Sequence, residues 1–132
     1  MKAIRGLLIL LLAVYMNALF AADQGVDFVD LKDGDVVTSP FKVKFAVAGM
    51  SVAPAGDTTL NTGHHHLLIN AEGIAAGQVV PADERHIHFG KGQTETLVTL
   101  PSGQYTLTLQ FANGLHQSYG EMMRKSIHVI VK

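Results

Sequence analysis

Two His-x-His pairs carry the chemistry of this sequence: His64 and His66 in "NTGHHHLLIN" (61–70), and His86 and His88 in "HIHFG" (86–90). On an extended chain, residues i and i+2 share a face. Each pair therefore presents two imidazoles side by side. His65, Leu67 and Ile69 point the other way from the first pair, and Ile87 and Phe89 from the second. Both pairs thus back onto apolar residues, as they would on strands whose apolar side faces a core. Neutral imidazole is the commonest side-chain ligand for Zn²⁺ and Cu²⁺, and a thioether adds affinity for Cu⁺. A solitary histidine, His116 in "NGLHQS" (113–118), and a methionine, Met50 after Gly49, complete the candidate ligand set. The histidine run lies inside the chain, so it does not read as a purification tag.

Composition narrows the setting. The chain has 132 residues, 7 histidines and no cysteine. It opens with Lys2 and Arg5, then an uncharged stretch from Gly6 to Ala22, then the small residues of "ALFAADQ". That pattern predicts a signal peptide over residues 1–21, cleaved after Ala21, and one exported domain over 22–132. The stretch reaches only the lower limit of a membrane span, and its small-residue end favours cleavage, so no membrane attachment is expected afterwards. Cleavage leaves 8 Lys and Arg against 11 Asp and Glu, a formal charge of −3. Such a balance, without a basic cluster, speaks against nucleic acid as a partner. Lack of cysteine removes disulfides, thiolate ligands and a thiol nucleophile, and fits a bacterial periplasm better than a disulfide-dense extracellular scaffold.

The elements that must position these residues are strands. "FKVKFAV" (41–47) sets Phe41, Val43, Phe45 and Val47 against Lys42 and Lys44; "QYTLTLQF" (104–111) sets Tyr105, Leu107, Leu109 and Phe111 against Thr106, Thr108 and Gln110. Period-two alternation marks strands with one face in the core and one in water. Further strands are predicted at 26–31, 64–70, 85–89, 94–100 and 126–131, with turns at "KDGD" (32–35), "GKGQ" (90–93), "PSGQ" (101–104) and "NG" (113–114). Seven short strands predict an all-β, immunoglobulin-like antiparallel sandwich, with a Greek-key barrel as the alternative. Two connections, 49–63 and 112–124, read as long.

That architecture gathers the loops after its second, fourth and sixth strands at one end. His64 and His66 begin the third strand, His88 ends the fourth, and His116 lies in the loop after the sixth. All four are therefore expected at the same end, and Met50 reaches it too. Other histidines have plainer readings. His65 is expected on the inner face and His128 outward in solvent, while His86 stands as a ligand or as an exposed strand residue. Met50 is a ligand or a cap on the core. Asp33 and Asp35 read as turn formers, and no carboxylate cluster suits calcium. "FGKGQTE" (89–95) lacks the spacing and following helix of a phosphate loop.

Four pieces resemble a family of exported bacterial domains described only as a domain of unknown function. They are "DGDVVTSPFKVKFAVAGM" (33–50), "TGHHHLLIN" (62–70), "HIHFGKGQTETLVTLPSGQYTLTL" (86–109) and the lone His116 before a final strand. "GHHHLLI" and "HFGKGQTE" are the distinctive ones. The resemblance implies an exported, histidine-bearing β-domain with His64, His66, His88 and His116 on motif positions. It supplies no activity.

The leading expectation is a periplasmic domain that captures, buffers or delivers a metal ion, copper before zinc, and passes it to a periplasmic protein partner. Its ligands bind only when neutral, so affinity is expected to fall below about pH 6. A redox copper enzyme of the superoxide dismutase kind and a metal-free envelope interaction module are the alternatives. No nucleophile or paired acid and base marks a catalytic residue.

Overall fold

A computed structural model describes residues 23–132 as two packed β-sheets with no α-helix among the described residues. The signal-peptide expectation concerns residues 1–21 and lies outside the described residues. The strands are β1 (Gly25–Val29), β2 (Asp35–Val37), β3 (Phe41–Ala48), β4 (Ser51–Val52), β5 (Thr62–Ile69), β6 (His86–His88), β7 (Glu95–Val98), β8 (Gly103–Ala112) and β9 (Arg124–Val131). One sheet has the order β1-β3-β7; the other runs β2-β9-β8-β5-β4, with β6 also pairing β5. All seven expected strands are present. β2 and β4 are additions, and they pair parallel, with β9 and β5 respectively, where every other ladder is antiparallel.

Alternation explains the core. Val26 and Phe28 of β1, Phe41, Val43 and Phe45 of β3 and Val98 of β7 face Leu67 and Ile69 of β5, Leu107, Leu109 and Phe111 of β8, and Ile127, Val129 and Val131 of β9. Each such side chain contributes about 1.5–3 kcal/mol by leaving water.

β5 departs from alternation: every residue from Gly63 to Ile69 is buried. Its outer face is covered by two segments that the strand pattern leaves open. One is a strap over residues 70–85, a third long connection beyond the two read from the sequence. The other is the 112–123 loop. They clasp each other through Gly77 N–H to Ser118 O (2.8 Å), Ser118 N–H to Gln78 O (2.8 Å) and Val80 N–H to His116 O (2.9 Å). Thr108 and Gln110, expected in water, are 2% and 0% exposed for this reason. At the start of β5 the backbone itself is close-packed, since a Cβ on Gly63 would lie 2.2 Å from the Ala112 carbonyl oxygen.

Candidate metal centre

Strand register builds the site. His66 pairs with His88 across β5 and β6, and on its other side with Gln110 of β8. His64 pairs with Ala112, whose methyl group leaves room for imidazoles above it. His116 arrives from the turn after β8. Asn113 shapes that turn by accepting the N–H of Leu115 and of Gln117 on its side-chain oxygen, both at 2.9 Å. His116 itself takes a left-handed conformation, φ 64°. A non-glycine residue held there carries backbone strain, the kind that clusters at functional sites.

Four histidines consequently meet. One ring nitrogen from each of His64, His66, His88 and His116 lies within 4.8 Å of the others. His88 Nε2 is 3.1 Å from His64 Nε2 and 2.9 Å from His116 Nε2. His64 and His66 form the buried floor, His88 is exposed and His116 half-buried. Burial pushes the His64 imidazole down to about 4 and that of His66 down to about 3, with the neighbouring histidines adding to the shift. His88 is lowered by burial and by His116. The floor imidazoles are therefore neutral at pH 7 with lone pairs free. His64 Nδ1 and both ring nitrogens of His66 find no hydrogen-bond partner among the described residues. Buried ring nitrogens without protein partners are open to a ligand, and a metal ion is one that neutral imidazole takes. The chemistry open to this group is coordination of a metal ion.

The other candidates have surroundings of their own. His86 Nδ1 lies 2.6 Å from Asp83 Oδ1, on the strap, and His86 is not one of the four. Met50 is partly buried and packs against the hydrophobic core. His65 is fully buried on the inner face against Phe45 and Phe111, ring centroids 5.1 and 5.0 Å away. His128 is solvated, as expected, with its backbone N–H and Nδ1 both directed at Asp33 Oδ1.

One residue of consequence escaped the sequence pattern. Gln110 Oε1 accepts from Ile74 N–H (3.2 Å) and Arg124 Nε (2.8 Å), and its Nε2 donates to Gly120 O (3.1 Å) and Met123 O (3.3 Å). It thereby fastens strap, loop and sheet together beside His66. In "QYTLTLQF" it reads as an ordinary outward polar residue; only its length and amide chemistry set it apart from the threonines. Gln110→Ala is expected to lower unfolding free energy by about 2–3 kcal/mol, because buried partners lose their bonds. Urea denaturation checks this; a change below about 0.5 kcal/mol would dismiss the fastening role.

Comparison with known proteins adds one finding. A family model, described as Domain of unknown function (DUF4399), matches residues 43–132, the span that holds all four histidines. No curated protein and no solved structure matches.

Proposed function

This chain belongs to the DUF4399 family, and we propose that it is an exported domain that captures, buffers and delivers a metal ion, copper before zinc. The observation that carries this reading is the meeting of four imidazoles from three separate segments, with ring nitrogens within 4.8 Å. Ligands about 2.1 Å from a common ion would stand roughly 3.0–3.4 Å apart in square or tetrahedral arrangements. The two close pairs here, at 3.1 and 2.9 Å, need little movement to reach those values.

Donor type supports a late first-row metal. An all-nitrogen set suits copper and zinc, whereas calcium and magnesium want oxygen. Of these, copper(II) binds nitrogen sites most tightly among the divalent ions. Exposure supports delivery over a permanent structural role. The ion would rest on a buried floor, while its two outer ligands lie at the surface and one of them rides on a strained turn. A partner could displace His116 and His88 in sequence without opening the core. The periplasm is the proposed compartment, on the strength of the N-terminal pattern.

The test is metal stoichiometry of tagless mature protein titrated with Cu²⁺, Cu⁺ and Zn²⁺, beside His88→Ala. One tight equivalent that the substitution removes is expected. Binding no stronger than that of a histidine-poor control would overturn the proposal.

A further inference from the structure

The four-histidine group has a property that its donor count conceals: it brings no negative charge. Among the described residues no carboxylate joins the group, and the chain has no cysteine to offer a thiolate. The acids on adjoining segments, Asp57, Glu72, Asp83, Glu84 and Glu121, are exposed, and two of them have partners of their own. Asp83 Oδ1 is held by His86 Nδ1 at 2.6 Å, and Asp57 Oδ1 by Thr59 Oγ1 at 2.6 Å. An ion seated here therefore keeps its full charge. It would sit over His64 and His66, which are 0% and 1% exposed, with the exposed His88 and the half-buried His116 on its outer side.

Desolvation cost rises with the square of the charge, so a divalent ion loses about four times as much hydration energy as a monovalent one of similar size. Carboxylate or thiolate ligands normally offset that loss, and here none does. Four protein donors also fill a tetrahedral shell, which leaves no place for a hydroxide to supply the missing charge. The group holds no cysteine, and imidazole is a ligand for copper and zinc alike, so softness gives Cu(I) no advantage here. Charge gives it one.

We propose that the cargo is the cuprous ion: the site holds Cu(I) in preference to Cu(II) and Zn(II) because its ligands are uniformly neutral and its floor is dry. This rests on the metal-binding reading above and specifies its substrate. The Cu(II)/Cu(I) potential of bound copper would then lie above that of the free ions, since the oxidised form carries more uncompensated charge.

The experiment pairs the wild-type mature protein with His116→Asp. That substitution exchanges a neutral outer ligand for an anionic one, at a left-handed position that aspartate tolerates. The Cu(II)/Cu(I) potential of the bound copper is measured by mediated redox titration, and Zn(II) is offered in hundredfold excess to the Cu(I) form. The wild type is expected to bind Cu(I) at least a hundredfold more tightly than Cu(II), which places its potential about 120 mV above that of free copper ions. Zn(II) should fail to displace the copper. His116→Asp is expected to remove at least tenfold of that preference, a fall of about 60 mV or more. Equal or tighter binding of Cu(II) or Zn(II) by the wild type overturns the proposal while leaving metal binding intact. An unchanged potential in His116→Asp overturns the charge argument. Failure of all three ions to bind removes the metal-binding reading itself, and this proposal with it.

Discussion

His66→Leu is expected to fold normally and to bind copper at least a hundredfold more weakly, while His65→Leu, one residue earlier, leaves metal binding unchanged. The two side chains leave β5 on opposite faces. His66 belongs to the floor of the four-histidine group, and both its ring nitrogens lack partners within the protein. Leucine there leaves no buried group newly unpaired, so the fold survives while a ligand is lost. Even residues that only support a ligand cost 10- to 100-fold when removed, and a ligand itself costs more. His65 also lacks partners for both ring nitrogens, but its ring lies against Phe45 and Phe111 in the core. Leucine should suit that place better, raising stability at pH 7 by about 1–2 kcal/mol through removal of an unsatisfied polar group. Paired metal titrations and urea curves check both variants. Loss of metal binding in His65→Leu, or retention of it in His66→Leu, would contradict the face assignment.

The metal-free domain is expected to unfold in mild acid. His64 and His65 are pushed down to about 4 and His66 to about 3, burial being the main cause each time. Their imidazoles are neutral in the fold, whereas the unfolded chain takes up protons below about pH 6.5. The unfolded state binds more protons in that window, so stability rises with pH. The full contribution is present above pH 6.5 and is lost as pH falls toward 4. A gap of this size is worth on the order of 3 kcal/mol per histidine, against a total stability of about 5–15 kcal/mol for a domain. Urea midpoints from pH 7.5 to 4 should fall steadily, and His65→Leu should flatten the slope by about one proton, or 1.4 kcal/mol per pH unit. A bound ion excludes protons from its ligands and should move the loss to lower pH. A flat profile in the metal-free protein would show that these imidazoles are not buried neutral.

Much of this was legible because period-two alternation survives wherever one face is apolar. It marked β3 and β8 over most of their length, and it put His64 and His66 on one side of β5 and His65 on the other. The expected convergence of His88 and His116 holds, but His88 reaches the group by pairing opposite His66 on the neighbouring strand and not through a shared loop end. What stayed hidden shares one cause. The 70–85 strap, "NAEGIAAGQVVPADER", alternates with nothing and makes no strand, yet it covers the outer face of β5 and β8. Without it, Gln110 and Thr108 read as solvent residues, and the ordinary histidine range applies to the four histidines. β2 and β4 were too short, at three and two residues, to show any period. The partner of His86 was hidden too, because Asp83 lies on that same strap.

The four histidines reach the group from β5, β6 and the turn after β8, so an ion held by all of them would tie three distant stretches of chain. In a domain without a single cysteine it would be the one cross-link available, closing two long loops as a pair of disulfides would. Loop closure acts on the open chain, which loses conformations it would otherwise explore. Proteases cut that open chain, and they meet it only as often as it forms. Loss of such an ion would therefore shorten the lifetime of the polypeptide, since the domain without it opens more often and meets proteases more often.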